Sequence, residues 1–215
     1  KKEEAIVICG HYDHLGTGYF KNDQGKFEKG VYNGADDNAS GTAAVIETAK
    51  VFASAAQAGF KPKRTIIFVA FTAEEDGLIG SEYYVNKPII PIEKTKAVIN
   101  MDMIGRTNKF YQESDKYVNS MNKRAKCKLK RLNRRNGKLL GLKIDFTPGL
   151  KERLLMNFGS DHRPFVTRDI PAIILSTGDH PDYHKPTDDA DKINYPRAAL
   201  IARLAFLDAW SLANE

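Results

Sequence analysis

Residues 64 to 77 read "RTIIFVAFTAEEDG": an apolar run rich in β-branched and aromatic residues that runs straight into two adjacent carboxylates, Glu74 and Glu75. The run has the composition of a buried strand, and its end presents acid where one polar residue would suffice. Neighbouring residues on an extended segment point to opposite sides, so the two glutamates cannot easily share one task. They are either an ordinary solvated turn or a pair that divides a job.

The rest of the chain repeats this pattern. Strands are expected at Ala5–Cys9, Thr65–Phe71, Ala97–Met101 and Ala172–Leu175, each followed at once by polar or glycine-containing sequence. Helices are expected at Ser40–Ala56, Ile79–Asn86, Asn119–Arg135 and Pro196–Ala213. In the last of these, Leu200, Leu204, Leu207 and Trp210 fall near one face, and Pro196 suits the first turn. Alternating strands and helices predict an α/β fold: one three-layer domain over 1–215, with a mixed, mostly parallel sheet flanked by helices. In such sheets ligands bind beyond the carboxyl ends of the strands, which directs attention to the residues after each one.

Composition narrows the class. The 215 residues with 42% hydrophobic content are those of a soluble globular chain, and no apolar run approaches the roughly 20 residues that cross a membrane. The chain opens "KKEEAIVICGHYDHLG", with few residues before a core strand, and reads as a domain cut from a longer precursor. Cys9 and Cys127 cannot build a disulfide framework, and Cys9 inside "AIVIC" reads as a buried free thiol. The formal charge of +6 is local. Residues 116 to 138 hold ten Lys/Arg (Lys116, Lys123, Arg124, Lys126, Lys128, Lys130, Arg131, Arg134, Arg135, Lys138) and no acid, so without them the chain stands at −4. Within that segment Met121, Ala125, Leu129 and Leu132 form an apolar stripe, the pattern of a surface helix with a solvated basic face. No nucleic acid is expected as partner; were the basic helix to bind it, retention on DNA would be salt-sensitive.

Beyond the first strand stand His11, Tyr12, Asp13 and His14. His11 and Asp13 can face one side, and Asp13 could orient the imidazole if the chain bends toward it. Next comes "YNGADDNASG", which carries Asp36 and Asp37 into the small-residue start of a helix and could be simply an Asx-turn and cap. Glu74 and Glu75, then Asp102 after "AVINM", then His180, His184 and Asp188 in "DHPDYHKPTDD" complete the series. Together they offer oxygen and nitrogen donors with no thiolate, suited to zinc, manganese or cobalt. Carboxylates converging on one sheet edge repel unless cations neutralise them. A two-metal hydrolase gives each a task, with one carboxylate left over as a general base.

The motifs "GHYDHLG", "GADDNASG", "TAEEDGLIGS", "NMDMIG", "GSDHRPF" and "YHKPTDD", in this order, resemble those of the zinc-dependent M28 peptidases, the group of bacterial leucyl-type aminopeptidases. The resemblance spans the chain except about 107–155, where a basic insertion or surface excursion departs from it and bears on substrate specificity. It implies two Zn2+ per chain, with Mn2+ or Co2+ as substitutes. His11 and Asp102 would hold one ion, Glu75 and His184 the other, and Asp36 both. Glu74 would be the catalytic base. Asp13 would orient His11, Asp37 would follow a strained cis peptide after Asp36, and Asp161 would stand near Glu74. Tyr183 and His162 align with positions near the substrate. The implied reaction is hydrolysis of peptide substrates, releasing N-terminal amino acids, by an exported, secreted or periplasmic, exopeptidase. Two rivals follow from the same resemblance: a single-zinc glutaminyl cyclase-like transferase, and a non-catalytic binding domain that keeps the fold.

Overall fold

A computed structural model describes residues 1–22, 24–108, 116–121, 127–146 and 159–215. Of the basic segment, Lys123, Arg124, Ala125 and Lys126 lie outside these residues, as does most of the turn "FTPGLKE".

Six strands make the main sheet: β1 (Ala5–His11), β4 (Thr65–Phe71), β5 (Thr95–Met101), β6 (Tyr117–Met121), β7 (Lys143–Asp145) and β8 (Ala172–Ser176). Their order is β4-β1-β5-β8-β6-β7. The first four are parallel, β6 runs antiparallel to β8, and β7 is parallel to β6. A separate hairpin, β2 (Thr17–Lys21) with β3 (Phe27–Val31), stands apart from this sheet. Both of its strands are largely exposed, so they leave no apolar run for sequence reasoning to find.

The strand alternation builds the layers. From β1, Ile6 and Ile8 enter a core with Val45 and Phe52 of α1 (Gly41–Gln57) and with Ile201, Leu204 and Ala205 of α5 (Tyr195–Asn214). Ala5, Val7 and Cys9 enter the opposite core, with Tyr84 and Val85 of α2 (Ile79–Asn86) and Phe165 of α4 (Arg163–Thr167). β1 is fully buried, as the middle strand of three layers must be. Cys9 is a buried free thiol, as expected, and burial pushes its pKa up.

The helix expected at Asn119–Arg135 is corrected. Tyr117–Met121 is strand β6, and helix α3 runs Cys127–Leu139. Leu129 and Leu132 are buried as the stripe required, but Asn133 and Asn136 share their face. These two amides donate to Asp208 of α5 at 2.6 and 2.7 Å, one to each carboxylate oxygen. Burial pushes the Asp208 carboxyl up to about 7 against the opposing pull of the two amides. The basic helix is therefore fastened to α5 by a buried polar bridge.

Asp208→Ala would strand two buried donors and is expected to destabilise the chain by about 2 to 4 kcal/mol, read as a lowered thermal midpoint. An unchanged midpoint would mean that α3 is held by its leucines alone.

Candidate metal centre

The carboxyl ends of the parallel strands bring the side chains together. His11 closes β1, Glu74 and Glu75 follow β4, and Asp102 follows β5. His180 and His184 lie on the segment after β8, and Asp37 comes from the turn before α1. Two groups of donor atoms result, each lying within 4.8 Å of one another: His11, Glu74 and Asp102, and His14, Asp37 and Glu75.

Asp37 stands between the groups. Its Oδ1 lies 3.5 Å from His11 Nε2, and its Oδ2 lies 3.1 Å from His184 Nε2. His11 Nε2 also faces Asp102 Oδ1 at 3.6 Å, and His184 Nε2 faces Glu75 Oε2 at 3.3 Å. Asp37 Oδ2 and Asp102 Oδ1 are buried without a hydrogen-bond partner. Atoms that share a tetrahedral zinc through bonds of roughly 2.0 to 2.2 Å sit about 3.3 to 3.5 Å apart. Most of these contacts exceed a good hydrogen bond and fit that spacing, and the donors are all nitrogen and oxygen. The residues therefore suit a zinc-type ion.

The shared position expected of Asp36 falls to Asp37. Asp36 is fully buried on the far side of the turn, where Oδ1 accepts from Ser40 Oγ at 2.8 Å and from the Gly105 amide at 2.6 Å. Its Oδ2 meets His180 rather than His11 or His184. The cis peptide likewise lies one residue later than expected, between Asp37 and Asn38. Asp188 holds the turn, its Oδ2 accepting from the amides of both Asp36 and Asp37.

Asp13 serves His11 mainly through its carbonyl, 3.1 Å from Nδ1, with its carboxylate at 3.7 Å. Asp13 Oδ2 instead accepts from the Glu75 amide at 3.2 Å. Asp161 is buried near Glu74, and burial pushes it up to about 7. Tyr183 stacks on His184 at 3.9 Å and lines the small cleft, about 80 Å³, formed by the clustered residues. His162 is buried at the start of α4 and is not among that lining. His14, to which no role was attached, completes the second group. A larger groove of about 890 Å³ between α1 and α5 contains none of the clustered residues.

Burial pulls His11 down, but Asp102 and Asp37 outweigh it and lift the imidazole to about 12; His184 is lifted to about 10 by Asp37 and Glu75. The two imidazoles hold Asp37 well below the usual carboxylate range despite its burial. Burial, with Asp102 beside it, pushes Glu74 up to about 9.

The fold and the paired clusters define an α/β protein with a carboxylate–imidazole centre suited to divalent metal. The chain belongs to peptidase family M28, whose family model it matches over residues 1–207. It is 29% identical to aminopeptidase YwaD of Bacillus subtilis over 204 residues, covering 92% of this chain and 38% of that one. The LapA aminopeptidase of Legionella pneumophila superposes with a TM-score of 0.78 at 27% identity, covering 100% of this chain and 53% of that one. An Acidobacteriales glutaminyl cyclase has a similar fold (TM-score 0.69, 22% identity, covering 100% of this chain and 70% of that one). The chain spans less than half the length of the curated relatives it matches.

An imidazole must be neutral to bind metal, so each ion should expel one proton from its histidine. Apparent zinc affinity is expected to rise at least about tenfold per pH unit between about pH 6 and 8, and more steeply where Glu74 also gives up its proton, with proton release visible by calorimetry in buffers of different ionisation enthalpy. A flat affinity would count against the histidines as ligands. Asp37→Asn should cost most of the bound metal. Asp36→Asn should keep it, because an amide can still accept from Ser40 and Gly105; elemental analysis reads both.

Proposed function

We propose that the chain is a two-zinc peptidase that hydrolyses peptide bonds, most simply as an aminopeptidase releasing N-terminal residues. The observation that carries this reading is the division of Asp37, with one oxygen turned to His11 and the other to His184. In this reading His11 and Asp102 would hold one ion, Glu75 and His184 the other, and Asp37 would serve both. When bound, such ions polarise a carbonyl and acidify water.

The remaining steps belong to the chain. Glu74 lies with His11 and Asp102, and its carboxyl holds a proton strongly where it is buried. Beside a bound cation Glu74 would be ionised, as a base must be, because the cation's charge would offset the effect of burial. Glu74 then takes a proton from the attacking water and passes it to the leaving amine, while a peptide's free amino group, itself a cation, suits the surrounding carboxylates. Tyr183 stacks on His184 and lines the cleft. Wild-type zinc content near two per chain, with aminoacyl-anilide hydrolysis lost to chelator, would support the peptidase. One zinc and formation of pyroglutamate from N-terminal glutamine would favour the cyclase reading instead.

Glu74→Gln should retain metal and fold while turnover falls by about 100-fold or more. Glu75→Gln should lose one of the two ions. Equal metal and equal activity in both variants would overturn the division of labour.

A further inference from the structure

His14 sits against the second cluster with its side chain 9% exposed. Its Nδ1 is 2.8 Å from Glu75 Oε1 and 3.8 Å from Asp37 Oδ2. Gly34 makes room for the ring: its φ is 61°, and a Cβ there would come within 2.6 Å of His14 Cγ. Two ligands of one zinc stand roughly 3.3 Å apart, whereas 2.8 Å is the length of a charge-assisted hydrogen bond. An ionised carboxylate can only accept, so Nδ1 carries the hydrogen. Nε2, on the other side of the ring, is buried without a hydrogen-bond partner. Glu75 thus has Oε1 engaged while Oε2 faces His184 at 3.3 Å.

We infer that His14 is a positioning residue whose Nδ1–H fixes Glu75 Oε1, so that Glu75 offers a single oxygen, Oε2, to the ion it shares with His184 and Asp37. The inference rests on the two-ion reading above. Its consequence is an asymmetric centre. The Glu75 carboxylate is locked by a side chain from the loop after β1, and Asp13 on the same loop holds the Glu75 amide.

The test titrates zinc alone into chelator-stripped wild type, His14→Leu and His14→Asn, with circular dichroism reading the fold. Leucine keeps bulk and removes the donor; asparagine places an amide nitrogen near the position of Nδ1. The expected result is two ions in wild type, one of them weakened about 10- to 100-fold in His14→Leu and restored to within about threefold in His14→Asn. Two unaltered affinities in His14→Leu would overturn the inference while leaving the two-ion reading intact. An asparagine variant as weak as the leucine variant would overturn it too, because the hydrogen bond would not be what matters. If His14→Leu fails to fold, His14→Ala takes its place under the same criteria. Fewer than two ions in wild type would instead sink the two-ion reading, and this inference with it.

Discussion

Five acidic residues, Asp37, Glu74, Glu75, Asp102 and Asp179, line one cleft of about 80 Å³, and the mutual repulsion of their carboxylates is the constraint around which the site is organised. Charges of one sign in a water-poor space cannot all persist without positive partners. Among them, Asp102 and Asp37 lift His11, and Asp37 and Glu75 lift His184, far above the ordinary imidazole range against the pull of burial, while burial pushes Glu74 up. Those same positions are the ones a divalent ion would neutralise, so the site's electrostatics and its donor chemistry point to one class of occupant.

Holding the carboxylates together requires a rigid frame, and the frame is polar. Asp188 gathers two successive amides, Asp36 gathers Ser40 and Gly105, and Asn38 ties Met101 to Gly41 and Met103. None of these residues faces the gap between His11 and His184. They fix the turn so that Asp37 alone projects into it. Asp36 and Asp37 look equivalent as neighbours in the chain, yet one is spent on structure and the other is free for chemistry.

That difference explains what could and could not be read from sequence. The four parallel strands were legible because each is a short apolar run that ends abruptly, and α5 because its apolar residues recur at helical spacing. Choosing between Asp36 and Asp37 needed the Gly105 amide, which only the fold brings near. His14 was visible in "HYDH" but had no evident task, since the chain leaves the strand after His11 and alternation no longer tells where side chains point. Strand β6 was absorbed into a helix because the apolar stripe of α3 could be extended backwards through Met121. Tyr117 and Val118 were the opposing β-forming signal. Asn133 and Asn136 gave no hint of burial, because a buried amide announces itself only through a partner such as Asp208.

The segment from about 107 to 155 runs between two anchors and carries β6, α3 and β7 with it. Before it, the Gly105 amide binds Asp36, and Arg106 pairs with Asp182 at 2.7 Å. After it, Ser160 accepts from Asn100 at 2.6 Å. The stretch between them is no loose insertion: its β6 extends the sheet beside β8 and its α3 is bound to Asp208, so exchanging it wholesale would disturb the sheet on which the site stands.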